Sequence, residues 1–245
     1  MSLRALLPRT LGAWLLSVIG LMVALQFVFF CRVASLIVMD PASSAFERSE
    51  IVRLSGSGAG MPPRWQQQWA GLERISVHLQ RAVIVSEDDL FLQHQGVHWQ
   101  ALEKAWQRNE RAQAQAGQRG RPAQLVGGST ITQQLAKNLF LSGERTLLRK
   151  GQEFVLTLML ESLLSKRRIL EIYLNHVEWG QGVFGAQAAA RRYFGKNASE
   201  LTEWEAARLA VMLPRPKWFE RHPDSPYWAE RTEVIMARMS GVKTP

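Results

Sequence analysis

The stretch TLLRKGQEFVLTLMLESLLS, from Thr146 to Ser165, predicts a long and largely buried helix. Its apolar residues recur at helical spacing and cover more than half of the helix circumference. They are Leu147, Leu148, Phe154, Val155, Leu156, Leu158, Met159 and Leu163. A helix with so wide an apolar surface packs into the core of a folded domain.

Polar residues form one stripe along the same predicted helix, namely Arg149, Lys150, Glu153, Thr157 and Glu161. A buried charge is strongly destabilising unless an opposite charge or hydrogen bonds compensate it. The stripe therefore either lines a cleft or forms internal ion pairs, such as Arg149 with Glu153 one turn further on. Spacing alone leaves both interpretations open.

A second informative stretch is GGSTITQQLAKN, from Gly127 to Asn138. Thr130 and Gln133 form a capping-box pattern, so a helix is predicted to begin there with unpaired backbone N–H groups at its start. Lys137 lies two turns later on the same polar face. The positive end of a helix followed by a lysine is typical of an anion site. A capped surface helix with a solvated lysine is the alternative.

A third stretch is SEDDLFLQHQG, from Ser86 to Gly96, which places three consecutive acidic residues at the end of a predicted helix. Negative charges there oppose the helix dipole, so another interaction must compensate them. The pattern fits a solvated acidic turn, a catalytic carboxylate, or a metal cluster that adds His94 and His98. The spacing matches no familiar metal-ligand motif.

Helical periodicity dominates most of the chain, and no alternating strand pattern stands out. Helices are predicted at about residues 74–86, 97–110, 131–141, 146–164, 166–176, 184–194, 202–213 and 226–240. The predicted fold class is therefore mainly α, with one domain over residues 74–245. We expect residues 41–73 to form a linker or membrane-proximal segment, and the Gln/Arg/Gly-rich residues 110–124 to form a mobile loop.

The Ser/Gly/Pro-rich part from Pro41 to Pro63 predicts a loosely packed loop. Trp65, Trp69 and Leu72 recur at helical spacing. They indicate either an interfacial aromatic belt or ordinary core.

The N-terminal region carries an uncharged run, LGAWLLSVIGLMVALQFVFFC, from Leu11 to Cys31. At the rise of an α-helix it spans roughly 30 Å, the thickness of a bilayer's hydrocarbon core. It is longer than a signal-peptide core, so an uncleaved anchor over residues 1–40 is favoured over a cleaved signal. Arg4 and Arg9 precede it, which places the N-terminus in the cytoplasm and the remaining chain across the membrane.

The composition narrows the class of protein further. Hydrophobic residues make up 47% of the 245 residues, which excludes a disordered chain, and the single cysteine excludes a disulfide-stapled fold. The excess of 30 Lys+Arg over 21 Asp+Glu gives a net charge of +9, which points to an anionic partner. For a domain tethered across the membrane, a membrane surface or a phosphate group is favoured over nucleic acid.

Together these stretches resemble the glycosyltransferase family that polymerises bacterial cell-wall peptidoglycan, and most closely its monofunctional biosynthetic members. The resemblance covers residues 79–219 in the family's motif order. The first motif is E-D-x-x-F-x-x-H-x-G, formed by Glu87, Asp88, Phe91, His94 and Gly96, and the second is GGSTITQQLAKN at 127–138. The third is R-K-x-x-E, formed by Arg149, Lys150 and Glu153. The last two are KRRILEIYLNHVEWGQGVFGAQAAARRYFGK at 166–196 and LTEWEAARLAVMLPRP at 201–216. His98 departs from the pattern, because the family often has an acidic residue there.

The resemblance implies a lysozyme-like, two-lobed helical domain that joins lipid II units into β-1,4-linked glycan with inversion, releasing undecaprenyl pyrophosphate. It implies Glu87 as the general base and Glu153 as a second catalytic residue on the donor side. Residues that bind substrate or support the site would be Asp88, Phe91, His94, Thr130, Gln134, Lys137, Asn138, Arg149 and Lys150. Glu87 and the cations should then converge in one groove beside the bilayer.

The resemblance also implies partners and cofactors. The partners would be lipid II, the growing glycan, the membrane and proteins of cell-wall synthesis or division, with no nucleic acid. No tightly bound cofactor and no dedicated metal site are expected, and Mg²⁺ or Mn²⁺ beside the pyrophosphate stays open. The chain is shorter than the bifunctional relatives and lacks the Lys-Thr-Gly motif of their transpeptidase domain, so transpeptidation is not expected.

Two competing functions remain. A lysozyme-like hydrolase or lytic transglycosylase would also place a glutamate in a helical cleft, but it needs no cations for a departing pyrophosphate. A membrane-anchored scaffold would bond Arg149 to Glu153 with no cavity in front of them.

Overall fold

The computed structural model describes residues 7–56, 65–119, 128–141, 143–144 and 146–245. Contacts between Cα atoms divide the chain into two units, Met1–Asp40 and Pro41–Pro245. The first unit contains helix α1, Leu7–Ser35. Within α1, residues Leu11–Ser35 are long and apolar enough to cross a membrane, with a mean hydropathy of 2.3. The predicted apolar helix is therefore present.

Helix α2, Ala45–Ser55, opens the second unit and differs from the predicted loose linker. Ser44 and Glu47 form a reciprocal capping box: the Glu47 amide donates to Ser44 Oγ, and the Ser44 amide donates to Glu47 Oε2. The S-x-x-E signal of a helix start is thus present in the sequence. The expectation of a loosely packed loop is wrong over 45–55, while residues 57–64 lie outside the described part.

The remaining helices include the predicted ones, in the predicted order, and α10, which was not predicted. They are α3 Val77–Glu87, α4 Trp99–Arg119, α5 Ile131–Phe140, α6 Leu147–Leu163, α7 Lys166–His176, α8 Ala186–Phe194, α9 Glu203–Met212, α10 Pro216–Arg221 and α11 Pro226–Met239. All eight predicted helices are present, and most ends agree within about two or three residues, the usual uncertainty of helix boundaries. The prediction of a mainly α fold is confirmed.

Helix α4 runs nine residues beyond its predicted end. The predicted mobile loop is therefore wrong over 110–119, where the structure has helix, and residues 120–124 lie outside the described part. The physical reason is intrinsic propensity, because Ala, Gln, Arg and Glu are good helix formers even where they have little apolar surface to bury.

A small sheet was not predicted. Strand β1, Gln66–Gln67, runs parallel to β3, Val183–Phe184, and β3 runs antiparallel to β2, Glu178–Gly180. Strands this short carry no readable alternation of polar and apolar residues. Trp65 precedes β1 and stacks on Phe184 at 4.6 Å between ring centroids, so the Trp65–Leu72 spacing does not reflect a continuous helix.

The core of the second unit is built from two groups of helices. One group packs α3 against α9 and α11, and the other packs α5 against α2, α6 and α7. Leu79, Leu135, Leu156 and Ile169 are among the fully buried side chains. The C-terminus of α3 and the N-terminus of α5 come together between the groups, because the Asp88 carboxylate accepts a hydrogen bond from the Ile131 amide.

Candidate active site

Glu87 is the last residue of α3 and is half-buried. Gln134 Nε2, on α5, donates to Glu87 Oε2 at 2.8 Å, and Ser86 Oγ donates to Oε1 at 3.4 Å. Burial raises the pKa of Glu87; Asp88 also raises it, whereas the two hydrogen bonds and Lys137 lower it. The net effect is that the pKa of the Glu87 carboxyl group is higher than that of an ordinary glutamate.

Asp88 is the C-cap residue of α3, and its carboxylate is buried. Its Oδ2 accepts from the Ile131 amide at 3.0 Å, and its Oδ1 lies 2.7 Å from His94 Nε2. The Gly96 amide donates to His94 Nδ1 at 3.1 Å, so the tautomer with its proton on Nε2 satisfies both contacts. The carboxylate sits at the N-terminus of α5, where the helix dipole favours it. The second of the three successive acidic residues is thus compensated.

The loop after Asp88 is fixed by buried contacts. Phe91 is fully buried, and Lys166 Nζ lies 4.5 Å from its ring centroid. Thr130 Oγ1 donates to the Gly96 carbonyl at 2.6 Å. Gly96 has a φ of +82°, and a Cβ there would lie 2.6 Å from Thr157 Cγ2, so the position requires glycine.

These contacts divide the residues of the Glu87 motif and Thr130 into those that line a cavity and those that are packed behind it. Asp88 and Thr130 line a cavity, described next, although both are largely buried. Phe91 has no exposed surface, and His94 is engaged by Asp88 and Gly96. The structure gives Phe91 and His94 positions in the Glu87 loop that suit a supporting role, and their part in substrate binding stays a prediction.

The Glu87 pocket is a cavity of about 370 Å³. It is lined by acidic residues, by arginines from α4 and α11, and by the chain before α5: Val85, Ser86, Glu87, Asp88, Asp89, His98, Arg108, Gly128, Ser129, Thr130, Arg231 and Arg238. Arg238 Nη2 lies 3.2 Å from Asp89 Oδ2. The pocket therefore combines a candidate base with positive charge that the sequence motifs did not predict.

The cation cavity adjoins it and has a volume of about 350 Å³. It is lined by Phe46, Ser129, Gln133, Gln134, Lys137, Asn138, Leu141, Gly143, Glu144, Arg149, Lys150 and Glu153. Three predicted residues of α5 and the R-K-x-x-E motif of α6 meet in this cavity, namely Gln134, Lys137, Asn138, Arg149, Lys150 and Glu153. Thr130 lines the Glu87 pocket instead.

Glu153 is buried and organises two of the cations. Arg149 Nη1 donates to its Oε2 at 2.7 Å, and Lys150 Nζ donates to its Oε1. The internal ion pair that the sequence allowed is therefore formed, but it also faces a cavity. The two interpretations of the polar stripe are both correct.

Lys137 differs from its neighbours. Among the described residues no hydrogen bond or ion pair engages its side-chain ammonium group, whereas Arg149 and Lys150 both hold Glu153. Although its side chain reaches solvent through the cavity, surrounding protein atoms lower the pKa of Lys137; Arg149 and Lys150 lower it further, while Glu153 and Glu87 raise it. An anion in the cavity would relieve this like-charge crowding.

The Glu87 pocket and the cation cavity share Ser129, and Gln134 lines the second while bonding Glu87 of the first. The residues of the predicted single groove thus line two adjoining cavities that meet at Ser129, just before α5. Glu87 and the cations are brought together, as the resemblance implied, and Gln134 contacts both cavities.

Several lining residues were not singled out from the sequence. Tyr173 OH donates to Gln134 Oε1 at 3.0 Å, and Phe46 comes from α2, some ninety positions before the other residues of the cavity. Arg108, Arg231 and Arg238 line the Glu87 pocket. Tyr173 lies inside the quoted motif at 166–196 and was available as a signal, whereas Phe46 and the arginines carry none.

The metal-cluster interpretation of Ser86–Gly96 finds no support in the geometry. Within the described ranges, no three His, Cys, Asp or Glu side chains gather as a metal site requires. His94 is bonded to Asp88, and its ring stacks on His98 at 5.9 Å between centroids. A role for Mg²⁺ or Mn²⁺ beside a bound phosphate stays a prediction.

Comparison with known proteins decides the family. A family model described as "Transglycosylase" matches residues 59–240. The chain belongs to the transglycosylase family. This transglycosylase is 48% identical over 234 residues to a biosynthetic peptidoglycan transglycosylase of Burkholderia thailandensis, covering 96% of the chain and 84% of that relative.

Two further relatives carry the same name. One, from Bordetella avium, is 48% identical over 244 residues, covering 99% of the transglycosylase and 98% of the relative. The other, from Herminiimonas arsenicoxydans, is 45% identical over 238 residues, covering 97% and 98%. The resemblance drawn from the motifs is confirmed, and with it the mainly helical, lysozyme-like fold.

Proposed function

We propose that the two adjoining cavities form the reaction centre of a peptidoglycan glycosyltransferase of cell-wall biosynthesis, with Glu87 as base and the cation cavity as the pyrophosphate site. The activity follows from the family and from relatives that align over nearly the whole chain. The observation that carries the assignment of roles is the placement of Glu87 and of Lys137, Arg149 and Lys150 in two adjoining cavities that meet at Ser129, just before α5.

The reaction is a single displacement on lipid-linked sugars. The 4-hydroxyl oxygen of the incoming lipid II attacks the anomeric carbon of the growing glycan, and its proton passes to the Glu87 carboxylate. The bond from that carbon to the phosphate oxygen breaks, and the electron pair leaves with undecaprenyl pyrophosphate. The α-linked donor thereby becomes a β-1,4 product by inversion.

Glu87 suits the part of general base. It is held by Gln134 and Ser86 at the rim of its own pocket, and burial raises its pKa, which increases its affinity for the hydroxyl proton. It must be ionised to accept that proton, and the hydrogen bond from Gln134 favours the ionised form.

The cation cavity suits the departing pyrophosphate. Negative charge grows on the phosphate oxygens as the bond breaks, and fixed cations stabilise such charge without reorganising. Arg149 can contact two phosphate oxygens at once, and Lys137 is free of protein partners among the described residues. Glu153 would hold Arg149 and Lys150 in place, while Gln134 and Asn138 would contact sugar or phosphate oxygens from the cavity wall.

The alternatives fit these observations less well. A glycan hydrolase has no leaving pyrophosphate and no use for three clustered cations. A scaffold predicts Arg149 bonded to Glu153 without a cavity, but both residues line one.

We further propose an inner-membrane location with a single span, a cytoplasmic N-terminus and a periplasmic catalytic domain. Helix α1 is long and apolar enough to serve as the anchor, and the positively charged residues before it favour this orientation. A lipid-linked substrate confines the reaction to the membrane surface. Partner proteins of cell-wall synthesis or division remain a prediction.

The assignment of the base is tested by Glu87→Gln. The amide keeps the shape of the side chain but cannot accept the hydroxyl proton, so turnover of labelled lipid II should fall by about 10²–10⁴-fold with an unchanged melting temperature. Glu73→Gln, at an exposed surface pair with Arg167, is the control and should polymerise normally. Glycan formation by Glu87→Gln at the wild-type rate would remove Glu87 from the role.

A further inference from the structure

Tyr173 is a buried tyrosine on α7 that none of the roles above uses. It is only 1% exposed, and among the described residues its hydroxyl makes one hydrogen bond, to Gln134 Oε1 at 3.0 Å. Gln134 in turn donates from Nε2 to Glu87 Oε2 at 2.8 Å. A chain of two hydrogen bonds therefore links a buried phenol to the candidate base.

The chemistry of the two groups fixes the direction of this chain. A phenol carries one proton to donate, and within the described residues the Gln134 carbonyl is the acceptor that the Tyr173 proton has. If the Gln134 amide were reversed, its NH₂ would face the phenol, its carbonyl would face Glu87, and the Tyr173 proton would lose its acceptor. A buried donor without a partner is unfavourable.

The orientation of Gln134 in turn determines what Glu87 meets. With the carbonyl held by Tyr173, the NH₂ group must point to the Glu87 carboxylate, and it favours the ionised form that accepts a proton. The reversed amide would present a carbonyl oxygen to Glu87 and favour the protonated form. Tyr173 therefore selects the amide orientation that suits a base.

We propose that Tyr173 is a positioning residue that sets the reactivity of Glu87 by orienting the Gln134 amide between them. This inference rests on the proposed role of Glu87 as base. Burial and the charges of Glu87 and Asp88 raise the pKa of Tyr173 well above its usual value, so the phenol keeps its proton and stays a donor while the enzyme works.

Tyr173→Phe tests the proposal, because it removes the hydroxyl and keeps the ring. We expect kcat for lipid II polymerisation to fall roughly tenfold, less than for loss of the base itself, with KM nearly unchanged. The acidic limb of the kcat profile should move to higher pH by about half a pH unit, because Glu87 loses an oriented donor. Equal profiles for Tyr173→Phe and wild type would overturn the proposal.

Tyr193→Phe is the matched control. Its hydroxyl donates to the Trp179 carbonyl at 2.9 Å, outside both cavities, so the variant loses a comparable hydrogen bond. A purely structural effect would lower the melting temperature of both variants and leave both pH limbs in place. Only Tyr173→Phe should move the limb.

A second comparison asks whether Tyr173 acts through Gln134. In a Gln134→Ala background the relay, that is, the hydrogen-bonded chain Tyr173–Gln134–Glu87, is already broken. Adding Tyr173→Phe to that variant should therefore shift the acidic limb of the kcat profile no further. An additive shift would show that Tyr173 acts on Glu87 by another route. The other charged groups facing Glu87 stay constant in this comparison: Asp88, Asp89, His98, Arg108, Lys137, Arg231 and Arg238.

A measurement without turnover separates this proposal from the role of Glu87. The side-chain NH₂ signals of Gln134, assigned by their loss in Gln134→Ala, should titrate with Glu87 in the full chain, with a higher midpoint in Tyr173→Phe. If that midpoint moves while Glu87→Gln remains active, the relay exists and the base assignment fails. If the midpoint stays, the relay is wrong whatever the activity.

Discussion

Two charged clusters of this transglycosylase use the same residue types in different proportions. The cation cavity sets three cations, Lys137, Arg149 and Lys150, against buried Glu153 and exposed Glu144. A second cluster, here the brace, joins Glu50 and Arg53 of α2, Glu178 of β2 and Lys217 of α10. In the brace, Lys217 Nζ lies 2.7 Å from Glu50 Oε2 and 3.1 Å from Glu178 Oε1.

The difference lies in whether the charges are balanced. In the brace each carboxylate lies beside a cation, and Arg53 Nη2 lies 2.7 Å from Glu50 Oε2. The pairs connect three elements, so their effect is on the packing of α2, β2 and α10. In the cation cavity one cation remains in excess, and Lys137 has no partner among the described residues. Positive charge left over in a cavity is available to an anionic ligand.

One contact in the brace is incomplete. Glu178 Oε1 is within ion-pair distance of Lys217 but outside hydrogen-bond geometry, and no donor satisfies it among the described residues. The pKa of Glu178 is raised to about 7, because the effect of burial, with that of Glu50, outweighs the lowering by Lys217. The brace therefore contains a group that titrates near neutral pH, although it lies outside both cavities.

Of the changes within these two clusters, Glu153→Gln in the cation cavity has the largest expected effect. The amide fills the same space but no longer holds two cations by charge, so kcat/KM for lipid II polymerisation should fall by about 10²–10³-fold. Glu171→Gln is the control, since Glu171 also pairs with an arginine, Arg168, at 2.6 Å, but lies outside both cavities. Normal polymerisation by Glu153→Gln would erase the contrast between the clusters.

The next largest expected effect is the pH dependence of the protein's stability that Glu178 of the brace produces. The pKa of Glu178 is raised in the folded protein, so folding binds its proton more tightly, and the resulting stability is complete below about pH 4.5 and lost as pH rises through 7. The shift corresponds to about 3 kcal/mol at most. Thermal unfolding should show that the loss of stability between pH 5 and pH 8 is smaller in Glu178→Gln than in wild type.

Glu205→Gln checks the sign of that effect. Hydrogen bonds from Lys196 and Thr202 lower the pKa of Glu205 against its desolvation, so its contribution is lost only as pH falls below the ordinary range of a glutamate. Between pH 5 and pH 8 this variant should follow the wild-type slope. A slope in Glu178→Gln equal to that of wild type would mean that Glu178 does not titrate in this window.

The smallest expected effect is that of Lys137→Ala, which removes one cation without leaving a carboxylate unpaired. Binding of the pyrophosphate end of the donor should weaken about tenfold, as expected for a lost charge-assisted contact, with an unchanged melting temperature. Lys196→Ala is the control, because Lys196 pairs with Glu205 away from both cavities. Unchanged donor affinity in Lys137→Ala would show that its charge does not serve the ligand.

The sequence by itself determined most of the helices and the set of candidate site residues. Helical periodicity and capping signals act within a few residues, so the starts of α5 and α9 at Thr130 and Thr202 were readable from the chain. The capping box at Ser44 was equally local. The Ser/Gly/Pro-rich composition of residues 41–63 nevertheless favoured the prediction of a loop there. The helix propensity of residues 110–119 was likewise outweighed by their polarity.

Only the tertiary structure decided how the polar groups meet. The Arg149–Glu153 pair is local, but whether it faces a cavity depends on α2 and α5 packing in front of it. Tyr173 meets Gln134 across 39 positions, and Glu178 meets Lys217 across a similar gap. Contacts of this kind have no period in the sequence, because they are set by which helix faces bury together. For the same reason, the family resemblance implied that Glu87 and the cations belong together, and the structure showed that they line two adjoining cavities that share Ser129.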